Sequence, residues 1–134
     1  MSSIQFHRPE GLVNSPVFSH VAVVPPGATT IYVGGQNAVD ASGAIVGGDD
    51  IAAQTRQVMD NVEAALAAAG ATLADVVSWT ILIAQGADIG AAYAAAAPRL
   101  VRDGDPPLVT AAVVAGLAVP GALIEVSAIA AVVR

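Results

Sequence analysis

From Asp49 to Gly70 the chain reads DDIAAQTRQVMDNVEAALAAAG, and Ile51, Thr55, Val58, Met59, Val62, Leu66 and Ala69 recur there at spacings of three and four. That period lines one stripe of a helix and leaves Gln54, Arg56, Gln57, Asp60 and Glu63 for the other surface, with Arg56 and Asp60 spaced as a surface pair. Asp49 or Asp50 can accept from the free N–H groups of the first turn, and Gly70 can take the left-handed conformation that ends a helix. Such a stripe needs a cover, so the strands around it are read as its floor.

Those strands are marked by alternation and by breaks. Ile4 to His7 reads as a short edge strand. Phe18 to Val24 reads as a longer one, with Phe18, His20, Ala22 and Val24 opposite Val17, Ser19, Val21 and Val23, the second set being better suited to the core. Pro25, Pro26 and Gly27 then turn the chain into the β-branched run Thr29 to Val33, which predicts a hairpin ending in Gly34-Gly35-Gln36. Ile45 and Val46 offer a short strand in a Gly-rich loop, and Thr72 and Asp75 have the spacing of a capping box. Val76 to Ile83 alternates clearly, with Val77, Trp79, Ile81 and Ile83 on one face, and a second helix is predicted over Ile89 to Ala97, with Pro98 ending it or starting a last turn. Leu108 to Val114 and Leu123 to Val133 close the chain as strands. The order predicts an α+β domain occupying residues 1–134, two helices on one side of a mixed sheet.

Composition changes this picture in one respect. At 55% hydrophobic, 12% charged and a mean hydropathy of +0.68, the chain carries more apolar surface than a monomer of 134 residues comfortably hides, which predicts a homo-oligomer. A formal charge of −6 with five basic residues and no basic cluster argues against nucleic acid or an anionic membrane as the main partner. The start, MSSIQFHRPE, lacks an apolar targeting segment, and the most apolar run, Leu108 to Val119, is too short for a bilayer, so a cytoplasmic location is expected.

Candidate chemistry is sparse. Nucleotide, hydrolase and zinc-protease motifs are absent, and two histidines without cysteine leave no ordinary transition-metal ligand set, so no metal is expected. One defect stands out: in the last strand Ile124, Val126, Ala128, Ala130 and Val132 form an apolar face, while Glu125 lies with Ser127 on the other. An unpaired buried carboxylate costs several kcal/mol, so Glu125 needs a polar cleft or a partner and reads as a structural pairing or as an acid or base. With it could stand Phe18, His20 and the Gly34-Gly35-Gln36 turn, on strand faces away from the helices. His20 also reads as a half-buried strand residue with a satisfied ring, and Gln36 as a turn side chain bonded to nearby backbone.

Ile31-Tyr32-Val33-Gly34-Gly35-Gln36, the helix run Ala53 to Val62, the Asp75-Val76-Val77 strand entry, the Pro106-Pro107 break and Ile124 to Ala130 occur in an order and spacing that resemble the Rid or YjgF-like family, the reactive-intermediate deaminases, from about Phe18 to Ala131. The resemblance implies a chorismate-mutase-like fold, a homotrimer, and clefts between subunits where enamines or imines are hydrolysed without cofactor. It places Glu125 at the attacking water and Phe18, Gly34, Gly35, Gly90 and Val109 around the substrate, and His20, Gln36 and Thr110 are further candidates for substrate binding. Phe18 falls where the deaminases have Tyr, Gly34 where they have Ser, Gly90 where they have Asn, and Val109 where they have the Arg that grips the substrate carboxylate. A charge-assisted contact of that kind is worth roughly 1.5 to 3 kcal/mol, so weak or absent turnover of 2-imino acids is expected. Two functions compete: a hydrolase acting on a small imine, enamine or related carbonyl compound, or a trimer that keeps the cleft to bind a metabolite or protein without chemistry.

Overall fold

The helical stripe is built as Ile51–Ala68 (α1) in the computed structural model, which describes residues 3–134. Asp50 is the cap, its carboxylate accepting from the amides of Ala52 at 2.9 Å and Ala53 at 3.4 Å, and Gly70 closes the helix at φ 75°. Ile51, Thr55, Val58, Met59, Val62 and Leu66 are buried as the period predicts; Ala69 is not, because it caps the end. Gln54 departs from the predicted polar surface: it is 0% exposed, and its amide donates to the carbonyls of Gly48 and Gly121 and accepts from the Leu123 amide. Burial is tolerated because all three bonds are made, and they tie the helix start to the entry of the last strand. Asp60 pairs not with Arg56 but with Arg99 of the second helix, 2.8 Å away, and Glu63 shares that guanidinium.

The floor is a four-stranded sheet of Thr29–Gln36 (β3), Ile124–Val132 (β6), Val76–Ala84 (β4) and Leu108–Val114 (β5), in that order. β6 runs antiparallel to both its neighbours, and β4 and β5 are parallel, joined by the helix Ile89–Leu100 (α2). Between β4 and α1, Leu73–Asp75 forms one 3₁₀ turn, with the Thr72 amide donating to the Asp75 carboxylate as the spacing predicts. Pro98 lies inside α2, where its missing N–H leaves the exposed Ala94 carbonyl to water. Trp79, Ile83, Ile124, Val126, Ala128 and Ala130 face the helices in a core with Val58, Met59, Val62 and Leu66. This is the mixed sheet with two helices that the order of elements predicts. Ile45 makes only an isolated bridge with Val39.

The predicted hairpin is not formed. Only Val21–Val23 (β2) is strand, and it pairs with Gln5–His7 (β1), separately from the main sheet. Pro25 and Pro26 have no N–H to extend a ladder out of the turn, so β2 takes the edge strand as its partner. Val21 and Val23 are exposed and Ala22 is half-buried, the reverse of the predicted core face. The segment is instead tied to the stretch before β5: Ser19 donates through Oγ to the Pro106 carbonyl at 2.6 Å and through its amide to Pro107 at 3.0 Å, while Arg8 pairs with Asp105. Those bonds seat Phe18 beside β5.

Candidate functional site

Glu125 projects from the sheet face that carries no helix. Its neighbours Ile124 and Val126 point into the core, so alternation turns the carboxylate the other way, half-exposed. Between Val33 and Gln36 the β3–β6 register shifts, Val33 facing Ala128 and Gln36 facing Val126, so that Gly34 and Gly35 form a bulge against β6. Gly35 is needed for space: a Cβ there would meet the Glu125 Cδ and Oε2 at 2.9 Å. Gly34 has open space around it. The buried Asn37, which sequence reasoning passed over, donates to the Ile124 carbonyl at 3.3 Å and reaches Glu125 Oε1 at 3.5 Å, the limit of a hydrogen bond. Asn61 of α1 fixes the Asn37 main chain by donating to its carbonyl at 3.0 Å. No basic side chain pairs with Glu125 among the described residues. Gln36 donates to the Gly34 carbonyl at 3.2 Å, within the bulge.

Phe18 and Val109 lie elsewhere. They line a cavity of about 520 Å³ between α2 and the β4–β5 half of the sheet, on the opposite side from Glu125. The constellation predicted on one sheet face is therefore split within one chain, because the run holding Phe18 is not a strand and its face is set by the Ser19 bonds. His20 stands edge-on to Phe18 with ring centroids 5.4 Å apart, and its Nε2 lies 2.7 Å from the Val13 carbonyl, which assigns the proton to that nitrogen. Gly90 sits in the first turn of α2 under its Asp88 cap, outside the cavity lining, and Thr110 pairs with Thr80 on the helix-free face.

The cavity follows from the sequence of α2. Its inward stripe is Ala92 and Ala96 flanked by Ile89, Tyr93 and Leu100, and alanines at the centre leave the sheet below uncovered. The cavity is open to solvent on one side, where Val17, Ile89, Tyr93 and Val109 are exposed. Both guanidinium groups on its wall are engaged. Arg99 holds Asp60 and Glu63, which outweigh its desolvation and keep its pKa above the usual arginine value. Arg102, its pKa lowered by burial, donates to the carbonyls of Ala74, Val76 and Asp105 and lies over the Phe6 ring. No cluster of His, Cys, Asp and Glu among the described residues could hold a metal ion, and none of their helices is long and apolar enough to cross a membrane.

Residues 13–132 match the family endoribonuclease L-PSP. The solved structures that resemble the chain include YyfB, a protein of unknown function of the Rid family from Yersinia pestis, at 35% identity and a TM-score of 0.82, covering 95% of this chain and 97% of that one. The YjgF gene product of E. coli matches at 31% identity and 0.66, covering 83% and 85%, and RidA from an Antarctic Psychrobacter at 26% and 0.67, covering 97% and 98%. With the mixed sheet, the two helices on one face and the glycine bulge against Glu125 already in view, these likenesses show that the chain belongs to the endoribonuclease L-PSP family, as a Rid/YjgF-like protein.

Proposed function

We propose that the protein is a cofactor-free hydrolase of small, neutral imines or enamines, with Glu125 as the base. The observation that carries this reading is the Glu125 carboxylate itself: half-exposed, held against Gly35, touched only by a long Asn37 contact, and unpaired by any cation among the described residues. Without a cationic partner on a half-exposed wall, the carboxylate is open to water and to a ligand. In the reaction, Glu125 takes a proton from water as the water oxygen bonds to the imine carbon. It returns that proton to nitrogen, and the hydroxyl proton of the resulting carbinolamine follows as C–N breaks, leaving a carbonyl compound and ammonia. The Gly34 and Gly35 amides at the bulge are the donors for charge developing on oxygen.

Glu125 and the Phe18–Val109 cavity lie on opposite faces of one chain's sheet, so a site that uses both is completed between two copies. The helix-free face offers a contact for such a copy, with Tyr32 76% and Ile129 40% exposed beside Ser78, Thr80 and Ser127. A homotrimer is the assembly proposed. Neutral substrates are favoured because Val109 offers no charge and Arg99 and Arg102 are already occupied. The name endoribonuclease raises RNA as a substrate; a net charge of −6 and guanidinium groups turned to carboxylates and carbonyls leave little to hold phosphates. The test is hydrolysis of acetophenone imine above its uncatalysed rate, in wild type and Glu125→Gln. A loss of about 10²- to 10⁴-fold in the variant supports the base role, and equal rates overturn it.

A further inference from the structure

The cavity beneath α2 contains one polar anomaly. Thr55 is 1% exposed, its Oγ1 has no hydrogen-bond partner, and it lines the cavity wall next to Met59. A threonine inside a helix ordinarily returns its hydroxyl to the carbonyl one turn back, and this one does not. Around it the inner wall is apolar, Trp79, Ile81 and Val126 from the sheet and Ala92 and Ala96 from α2, with Tyr93, Arg99 and Arg102 also in the lining. Water at this inner wall is poorly held, since a buried water needs two to four polar partners and the wall there offers one orphaned hydroxyl. The cavity, about 520 Å³ and open at one side, lies within the size range of small-molecule sites.

We infer that this cavity binds a compact, uncharged molecule with an apolar or aromatic body and one carbonyl or imine group, the body lying against Trp79 and the alanines of α2 and the polar atom meeting Thr55 Oγ1. The inference does not depend on the proposed catalysis, because a ligand whose one polar atom is held by Thr55 at the inner wall does not present it to Glu125; the half-exposed Phe18 and Val109 at the mouth admit the ligand. The geometry excludes carboxylates, because no free cation faces the interior.

Trp79 is the chain's single tryptophan and forms part of the wall, so its fluorescence reports occupancy directly. The probes are acetophenone and α-methylstyrene, of nearly the same shape, the first with C=O where the second has C=CH₂. Wild type is expected to show saturable quenching by acetophenone and weaker binding of α-methylstyrene. Thr55→Val should reduce the acetophenone affinity by about three- to tenfold and leave α-methylstyrene unchanged, the size of one hydrogen bond. Ala96→Leu, filling the cavity, should weaken both. Glu125→Gln should bind as wild type does, which separates this inference from the catalytic one: lost turnover with intact binding leaves the cavity site standing. No saturable change at Trp79, or an acetophenone preference that survives Thr55→Val, overturns the inference, as does a cavity already filled by a second copy's side chains. Should Ala96→Leu fail to fold, the Thr55→Val comparison decides alone.

Discussion

Replacing Gly35 with alanine should separate the chemistry of Glu125 from the stability of the fold. Gly35 is not among the residues at positive φ, so alanine meets no backbone strain. The obstacle is the carboxylate: the new methyl would lie 2.9 Å from Cδ and Oε2 and 3.2 Å from Cγ. Ordinary carbon contacts are about 3.5 to 4.0 Å, so the Glu125 side chain must retreat by roughly 0.6 to 1 Å. Its end is flexible and half-exposed, and leaving its rotamer costs about 0.5 to 1.5 kcal/mol. Against this, alanine restricts the unfolded chain and contributes about 0.4 to 1 kcal/mol to stability. The two nearly cancel, and the melting temperature should move by no more than a few degrees. Catalysis is less forgiving, since a displacement of about 1 Å at the reacting groups can cost on the order of 10²-fold. Thermal melts and imine hydrolysis on the same preparations are the assay. A full rate with an unchanged melt would refute the close packing of Gly35 on a working base, and a large fall in stability would refute the steric account.

Gly34→Ser is the matching control: its Cβ enters open space, so stability should stay within about 0.5 kcal/mol in denaturant unfolding. Gln54→Leu should destabilise by roughly 1 to 3 kcal/mol, measured the same way, because it removes three part-buried hydrogen bonds, to the Gly48 and Gly121 carbonyls and from the Leu123 amide. Asp40 has a lowered pKa, first from the Ser42 hydroxyl and then from the Ala44 and Ser42 amides, so its contribution is complete above the usual aspartate pKa and fades as pH falls through the lowered value. Asp40→Asn should therefore flatten the acid limb of hydrogen exchange in the 40–44 loop, and an unchanged limb would count against that turn.

Much of the fold was legible because burial writes a period into the chain: the α1 stripe and the β4 and β6 alternations need only a local count. Glu125 was legible for the same reason, as a charge in an apolar strand. What was not legible depended on partners remote in sequence. Gln54 reads as surface until the Gly48 and Gly121 carbonyls are brought to it, and β2 shows strand character without saying whether β1 or β3 takes it. Phe18 follows its neighbour Ser19 onto Pro106 and Pro107, a pairing no periodicity records. The cavity was hidden in plain composition, since alanines make a good helix whether or not they fill the space below it.

The central claim is that Glu125 of one copy serves the Phe18–Val109 pocket of another, and subunit mixing tests it most directly. Glu125→Gln removes the base, and Val109→Trp closes the pocket mouth in a protein that keeps Glu125. Each variant alone should hydrolyse the neutral imine poorly. Co-refolded in equal amounts, they should regain roughly a quarter of the wild-type rate, the chance in random assembly that an intact Glu125 faces an intact pocket, whatever the size of the ring. A mixture no more active than its components would contradict the shared site.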